Sequence, residues 1–377
     1  MKYSNDTPHW QEAIQNYGNG DACSEEQDHG SLLSEYDHLR ITTQIDFVPP
    51  VPVVKIKDAV ISTAGNITTF SGLPKSGKTA VINVLIAGAV SKDGNYDGFE
   101  GIQVEPNPDS LAVICFDTEQ SKQKQQKNLQ IILKRLGISE CPPNLLCYNL
   151  KEVPLGIYKK VVREICEAAK EKFGGIHMIV IDGGADFVLD VNDPSSSTKL
   201  VRFFERLAVK HDTCVILIIH LNPGSAKERG HLGSQLQRKG ESVIAIQQDG
   251  DKSYLMPKFL REAGRDDVPA IQFSFDKSKG YHTSAGVRSA EELKQKTDML
   301  SALARGVFGD GSAYPYSDAI VMIMQHSGKK ERTAKELFKE LRALKLIQKD
   351  ENGDWCLFTA HSSEVQETGD ETELDAG

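Results

Sequence analysis

Residues 71–79 read S-G-L-P-K-S-G-K-T and form the most informative run in this chain of 377 residues. The run matches the pattern G-x-x-x-x-G-K-[ST], whose fixed positions are Gly72, Gly77, Lys78 and Thr79. The apolar pattern I-T-T-F precedes it, and the apolar helical pattern T-A-V-I-N-V-L-I-A-G-A-V continues from its last residue. A strand, a glycine-rich loop and a helix in this order predict a phosphate-binding loop at a helix N-terminus.

The chemistry of such a loop predicts which residues bind a nucleotide. Glycines allow backbone N–H groups to surround phosphates, and the helix N-terminus adds positive potential. Lys78 is expected to reach the β- and γ-phosphates, and the Thr79 hydroxyl is expected to ligate Mg²⁺. ATP and Mg²⁺ are therefore the predicted cofactors. The predicted nucleotide-binding residues are Gly72, Leu73, Pro74, Lys75, Ser76, Gly77, Lys78, Thr79 and Ala80.

A second candidate metal ligand is Asp182, which ends the apolar run H-M-I-V-I-D. A carboxylate at the end of a neighbouring strand commonly holds Mg²⁺ in phosphoryl-transfer sites. The alternative is a strand-end aspartate that only caps the following turn. Gly183 and Gly184 follow it instead of a glutamate, so the carboxylate that orients the attacking water is expected elsewhere.

The candidate for that catalytic carboxylate is Glu119, in the run L-A-V-I-C-F-D-T-E-Q at residues 111–120. We expect a strand at 111–116 to lie beside the strand of the phosphate-binding loop. The C-terminal end of this strand would then lie at the edge where open α/β sheets bind ligands. Glu119 is therefore the predicted catalytic base or water-positioning residue. A solvent-exposed glutamate at a helix start is the alternative, and Asp117 or Asp186 would be the next candidates.

Short apolar runs alternate with helical patterns between residues 50 and 285, which predicts an α/β domain with a mostly parallel sheet. The runs M-I-V-I-D and C-V-I-L-I-I-H are apolar on both strand faces, as in strands covered by helices on both sides. The last strands follow one another without helices, which predicts an antiparallel edge. The predicted strands are 67–71, 111–116, 145–149, 176–182, 214–220, 242–248, 253–260 and 271–276, and the predicted helices are 78–91, 120–136, 155–172 and 196–211.

The segment 291–360 has a different pattern. Helical patterns at 291–307, 316–327 and 331–345 are followed by a strand, the turn Asn352-Gly353 and a second strand, the order of a winged helix-turn-helix. Residues 329–349 carry eight Lys or Arg against three Asp or Glu. This excess predicts contact with duplex DNA through Lys335, Lys339 and Arg342. The alternative is a winged helix used for protein contacts or oligomerisation.

The net charge of -9 is concentrated in the two ends of the chain. Residues 1–40 carry eight acidic and two basic residues, and residues 361–377 carry six acidic residues and no Lys or Arg. Removing these two contributions of -6 leaves +3 for residues 41–360. The ends therefore predict solvated, disordered tails, with partner binding as the alternative. No signal-peptide or membrane-spanning pattern is found, and seven scattered cysteines favour a cytoplasmic protein without disulfides.

Taken together, the phosphate-binding loop, Glu119, Asp182 without an adjacent glutamate and a strand ending in His220 resemble RecA-like ATPases. Within these, residues 50–285 are most similar to hexameric helicases of the RepA and DnaB types and to related ATPases of mobile elements. The resemblance implies that His220 senses the γ-phosphate, couples it to DNA-binding loops and contributes to catalysis. The alternative is a histidine satisfied by a neighbouring carbonyl. It also implies a homo-oligomer, expected to be a hexameric ring.

The resemblance assigns two further groups of basic residues. The stretch 221–241 would be a mobile loop that holds single-stranded DNA through phosphate contacts, with an ordinary solvent loop as the alternative. Its candidate residues are Lys227, Arg229, Arg238 and Lys239. Lys258 and Arg261 would enter the ATP site of a neighbouring subunit. Their spacing is one residue wider than the K-x-R pattern of DnaB-type proteins, and Arg265 is a rival.

The sequence thus predicts four regions. They are an acidic disordered region (1–45), a RecA-like ATPase domain (46–286), a winged-helix domain (287–360) and an acidic disordered tail (361–377). The expected function is that of an ATP-dependent DNA motor or remodelling ATPase in the replication, mobilisation or excision of a mobile element. The alternative is an ATP-switched DNA-binding adaptor or regulator that does not unwind DNA.

Overall fold

The computed structural model describes residues 34, 36–221, 230–264, 268–288 and 290–358. The chain divides into two compact units, residues 1–49 and 50–377. In the described part of the first unit, the chain forms a 3₁₀ turn at Asp37–Leu39. Most of the predicted disordered region 1–45 and all of the predicted tail 361–377 lie outside the described residues.

The second unit is built on a nine-stranded sheet with the order β12-β11-β10-β9-β3-β8-β7-β5-β6. Its strands from β9 through β3, β8, β7 and β5 to β6 are parallel neighbours, whereas β9 to β12 form an antiparallel meander. A smaller antiparallel sheet has the order β2-β1-β4. In chain order, the strands are β1 (Pro52–Ile56), β2 (Ala59–Thr63), β3 (Ile67–Gly72), β4 (Ile102–Val104), β5 (Ala112–Asp117), β6 (Leu145–Asn149), β7 (Ile176–Asp182), β8 (Cys214–His220), β9 (Ser242–Asp249), β10 (Lys252–Leu260), β11 (Ala270–Asp276) and β12 (Tyr281–Arg288).

Helices cover both faces of the large sheet, which explains why β7 and β8 are apolar throughout. The first two helices pack with the small sheet on one face, and the next three pack on the other face. These helices are α1 (Lys78–Val90), α2 (Lys122–Leu136), α3 (Tyr158–Phe173), α4 (Pro194–His211) and α5 (Gly230–Lys239). Local chemistry sets several ends: Ser121 and Asp193 accept backbone hydrogen bonds at the starts of α2 and α4, and α2 ends at Gly137.

The predicted α/β class with an antiparallel edge is confirmed, but two details of the prediction were wrong and two parts of the architecture were missed. Strand β5 does not lie beside β3, because β8 and β7 intervene. The predicted mobile loop 221–241 contains α5 in its second half, while residues 222–229 lie outside the described residues. The small sheet and β12 were not predicted.

The C-terminal part of the second unit has its own apolar core. Three helices, α6 (Ala290–Phe308), α7 (Tyr316–Ser327) and α8 (Glu331–Ala343), precede an antiparallel pair, β13 (Ile347–Lys349) and β14 (Trp355–Leu357). This is the predicted order of elements. The predicted boundary after residue 286 would cut β12, which pairs with β11 as far as Arg288, so the ATPase-like core extends to that residue. Among the described helices, none is long and apolar enough to cross a membrane.

Candidate active site

The predicted phosphate-binding residues lie at the end of β3, in the following loop and in the first turn of α1. The loop is tight. A Cβ at Gly72 would meet the carbonyl oxygen of Ile246 at 2.5 Å. Gly77 has a left-handed φ of 98°, and a Cβ there would lie 2.7 Å from the ring of Phe273. Only glycine fits at these two positions. Because glycine has no side chain, the backbone N–H groups of the loop can approach a ligand closely.

The Lys78 side chain is buried at the centre of the loop. Its Nζ donates to the carbonyl oxygens of Gly72 and Leu73, at 2.9 and 2.8 Å, and lies 3.2 Å from Nδ1 of His220. Burial lowers the pKa of Lys78, and the carboxylates of Glu119 and Asp182 partly oppose that shift. The Lys78 amino group therefore lies where the motif requires a partner for phosphate oxygens.

Glu119 and His220 meet although β5 and β8 are not neighbours. Glu119 Oε2 lies 2.9 Å from His220 Nε2, and His220 pairs with Gly72 in the parallel register of β8 and β3. The hydrogen bond from His220 lowers the pKa of Glu119; burial opposes this shift, and the charge of Lys78 reinforces it. The ionised Glu119 is thus linked through one imidazole ring to Lys78.

Asp182 lies opposite Asp117 in the register of β7 and β5, at the same edge of the sheet. Burial, followed by the charges of Asp117 and Glu119, raises the pKa of Asp182 to about 7. Its Oδ2 accepts a hydrogen bond of 3.0 Å from Nε2 of Gln120, whose Oε1 in turn accepts one of 3.0 Å from Asn128. The Asp182 carboxylate is therefore fixed by an amide pair.

These side chains line one cavity of about 430 Å³. The cavity contains both predicted magnesium ligands, Thr79 and Asp182. A hydroxyl and a carboxylate are oxygen donors of the kind that Mg²⁺ prefers, and a cation would offset the burial and the neighbouring negative charges that together raise the pKa of Asp182. Its lining residues are Pro74, Lys75, Gly77, Lys78, Thr79, Ala80, Asn83, Glu119, Gln120, Lys124, Asn128, Ile131, Arg135, Asp182, His220, Phe275, Gly280, Tyr281 and His282.

Arg261 lies at the opposite end of the strands from the phosphate-binding loop, because Leu260 pairs with Ser242, which pairs with Thr68 near the start of β3. Lys258 lies nearer to the loop, since Pro257 pairs with Ile244 and Ile244 pairs with Phe70. The guanidinium group of Arg261 donates to the backbone carbonyls of residues 238 and 239. It therefore caps the C-terminus of α5 in its own chain.

The residues predicted to bind single-stranded DNA are only partly described. Arg238 and Lys239 lie in the last turn of α5 rather than in a loop, and Lys239 Nζ lies 3.8 Å from Glu205 Oε1. This corrects the loop prediction for these two residues, because the polar sequence of α5 still carries Leu232 and Leu236 on a buried face. Lys227, Arg229 and the rival residue Arg265 lie outside the described residues.

The three residues predicted to bind duplex DNA are exposed on α8. Lys335 pairs with Glu331 at 2.6 Å, and the Arg342 guanidinium lies 4.8 Å from the centroid of the Trp355 ring in β14. Lys339 lies between them along the helix. The spacing of three and four residues places the three cations on one side of α8.

Sequence reasoning missed the part of the cavity that is lined by α2 and the β11–β12 hairpin. Lys124, Asn128, Ile131 and Arg135 all line the cavity and are separated by three or four residues, so they form one row along α2. That spacing could have been recognised. Phe275 carries no comparable signal, because its role depends on where the hairpin lies in the sheet.

A known protein family matches part of the core. Residues 41–226, just under half of the chain, match a protein family described as an AAA domain. A search of curated proteins finds no match. Among solved structures, the chain is similar to a KaiC-like protein from the hyperthermophilic archaeon Pyrococcus horikoshii OT3, with 13% identity, a TM-score of 0.42 and coverage of 63% of this chain and 100% of the other. The family match, the loop and the sheet together support the predicted RecA-like P-loop ATPase core.

Proposed function

We propose that this chain is an ATP-dependent DNA motor or remodelling ATPase, similar to RepA-type and DnaB-type helicases, that acts in replication, mobilisation or excision of a mobile element. The observation that carries the proposal is the contact chain from Lys78 through His220 to Glu119 at one edge of the sheet. It joins the phosphate-binding cation to a carboxylate that can orient water. This is the arrangement that phosphoryl transfer to water requires.

Each residue has a separate role in this proposal. Lys78 binds the β- and γ-phosphates, and Glu119 holds the attacking water and accepts its proton. Thr79 and Asp182 would hold Mg²⁺, which supplies positive charge to the phosphate oxygens when bound. His220 contacts both Lys78 and Glu119, so a phosphate that draws Lys78 away from the loop carbonyls changes the partners of the imidazole. That change is a physical basis for sensing the γ-phosphate.

The C-terminal part supplies a candidate surface for DNA. We read α6, α7, α8 and the β13–β14 pair as a winged helix with α8 in the recognition position, where Lys335, Lys339 and Arg342 would contact phosphates. Lys296 on α6 connects this part to the core, because its Nζ lies 3.0 Å from Asp249 in β9 and 2.9 Å from Glu340 in α8. Strand β9 is a direct neighbour of β3.

The test is the ATPase rate with and without single-stranded DNA, measured alongside light scattering and unwinding of a tailed duplex. We expect hydrolysis that DNA stimulates, in an oligomer, and loss of nucleotide binding in Lys78→Ala because the cation facing the phosphates is removed. Absence of hydrolysis by the oligomeric wild type with Mg²⁺ and DNA would refute the proposal.

A second candidate is an ATP-switched DNA-binding adaptor or regulator. The contact of Lys296 with Asp249 and Glu340 favours it, since this contact joins the DNA-binding candidate helix to a strand beside the phosphate loop. Under this alternative, ATP would change duplex affinity without strand separation. Unwinding of a tailed substrate distinguishes the two functions.

A further inference from the structure

The cavity continues beyond the phosphate-binding loop along α2. The row from Lys124 through Asn128 and Ile131 to Arg135 lines it. The eleven helical steps from Lys124 to Arg135 span about 16 Å, so the row reaches well beyond the end that holds Lys78. A triphosphate bound as proposed would occupy the end beside the loop, which would leave the remainder of the cavity for the other parts of a nucleotide.

Aromatic rings from the β11–β12 hairpin form the far end of this cavity. Phe275, Tyr281 and His282 line it. The rings of Phe275 and His282 meet edge to face, with centroids 5.5 Å apart and planes at 79°. Phe275 nevertheless remains 54% exposed. A flat apolar ligand that covers the open face of this ring gains free energy from its removal from water.

The hairpin is held in place by a buried arginine. The Arg135 guanidinium lies between the rings of Phe99 and Tyr281, 5.4 and 4.7 Å from their centroids, and donates to the backbone carbonyl of His282. The phenol of Tyr281 also donates to Asp97 Oδ2 at 2.8 Å. These contacts fix the rings relative to α2 before any ligand binds, so little ordering is required on binding.

We propose that Phe275 is the stacking platform for the nucleobase, and that this end of the cavity prefers purine to pyrimidine nucleotides. The inference rests on the proposed function, because it concerns the same nucleotide. Two fused rings cover more of a phenyl face than a single ring does. Stacking depends on the aromatic face of the base and not on its hydrogen-bonding groups, so the preference is for purine nucleotides in general.

The test compares the dissociation constants of ATP, CTP and inorganic tripolyphosphate for the full chain and its variants. Phe275→Ala should weaken ATP about tenfold, a typical effect of losing one base stack, and should leave tripolyphosphate within about twofold. The preference for ATP over CTP should shrink at the same time. Phe275→Tyr keeps a ring and should bind ATP normally. Phe358→Ala is the matched control, since Phe358 is 46% exposed and lies in the C-terminal part.

The outcomes separate this inference from the function on which it rests. Unchanged ATP binding by Phe275→Ala, or equal losses of ATP and tripolyphosphate, would overturn the stacking platform while wild-type binding still supports the ATP site. A wild-type chain that binds neither ATP nor tripolyphosphate would refute both. Equal wild-type affinities for ATP and CTP would overturn the purine preference.

Discussion

The imidazole of His220 is hydrogen-bonded to the carboxylate of Glu119, with 2.9 Å between Nε2 and Oε2. Because Lys78 can only donate, its contact with Nδ1 requires that nitrogen to accept, and Nε2 is then the nitrogen that donates to Glu119. The imidazole is therefore oriented by two charged groups from distant parts of the chain. Glu119 keeps a second carboxylate oxygen for a water molecule.

Glu119→Gln should leave nucleotide binding intact and slow hydrolysis by roughly a hundredfold or more, the scale of a lost general base. The glutamine oxygen can still accept from His220, so the geometry of the loop is preserved. Phosphate release and ATP dissociation constants should be measured on the same preparation. Glu152→Gln provides a matched control on an exposed glutamate paired with Lys122. Normal turnover by Glu119→Gln would move the catalytic role to Asp117 or Asp186.

Asp182→Asn should change how stability depends on pH. The pKa of Asp182 is raised from 3.8 to about 7 in the folded chain. The folded state therefore keeps a proton that the unfolded state releases, so this contribution to stability is full below about pH 4 and lost as the pH rises through about 7. Without Mg²⁺ or nucleotide, Asp182→Asn should be more stable than the wild type at pH 8, by up to about 4 kcal/mol.

Urea unfolding at several pH values between 4 and 8 measures this difference. The gain of Asp182→Asn over the wild type should grow with pH, whereas Asp58→Asn, at an exposed aspartate in the β1–β2 turn, should show no such trend. Stability curves for Asp182→Asn and the wild type that run parallel across this range would contradict the assignment of the raised pKa to Asp182.

Much of the fold could be predicted from sequence because its signals are local. The strands β7 and β8 are uninterrupted apolar runs, and the glycines at 72 and 77 identify the loop from its backbone requirements. The order of strands could not be predicted. Whether β5 lies beside β3 depends on packing between strands that are distant along the chain. No residue in 111–120 specifies which strand will be the neighbour of β5.

The residues of the site at the ends of the strands could be predicted, but the part of the cavity along α2 could not. Asp182 and His220 end apolar strands and Glu119 follows the end of β5 by two residues, so a parallel sheet brings them to one edge. The sequence of α5, G-H-L-G-S-Q-L-Q-R-K, has two glycines and few apolar residues, and only its contact with the sheet makes it a helix. Arg135 resembles any surface arginine of an amphipathic helix until the hairpin that covers it is known.

Lys296→Met should loosen the C-terminal part of the second unit. Burial lowers the pKa of Lys296, but its hydrogen bonds to Glu340 and Asp249 outweigh this effect and leave the pKa raised. The variant removes the cation from two partly buried carboxylates, which should cost about 1 kcal/mol. Hydrogen exchange in α6 and α8 should become faster, and adding Glu340→Gln should recover part of the protection. Unchanged exchange in Lys296→Met would show that the contact does not couple the two parts.

Reversing Lys335, Lys339 and Arg342 to Glu should weaken duplex DNA binding at low salt and leave ATP hydrolysis without DNA unchanged. Each lost phosphate contact should lower the slope of log affinity against log salt by about one. The control reverses Lys160, Lys170 and Lys172, which are exposed on α3 and give the same change in net charge. Equal duplex affinity of the α8 variant and the control would favour a protein-docking role for α8.

Arg261 lies at the opposite end of the strands from the phosphate-binding loop of its own chain. Arg261 directly follows Leu260, which aligns through Ser242 with Thr68 in β3. Thr68 lies four residues, or about 13 Å of strand, before Gly72. Arg261 therefore lies at the opposite end of the strands from the Glu119 site of the same chain, and any catalytic role of Arg261 must be in a neighbouring subunit. An arginine supplied in this way is worth about 10³–10⁵ in rate. Turnover per chain should consequently rise with protein concentration.

Arg261→Ala should bind ATP but lose turnover, and mixing it with Glu119→Gln should restore part of the activity. Some interfaces in the mixture pair an intact Glu119 with an intact Arg261, whereas neither variant alone contains such an interface. Because Arg261 also caps α5, its replacement should lower the free energy of unfolding, and that loss cannot be rescued by mixing. Lys258→Ala tests the second cation without removing the cap. Concentration-independent turnover by a monomer, or no rescue in a mixture shown to co-assemble, would exclude the trans role and favour the ATP-switched regulator.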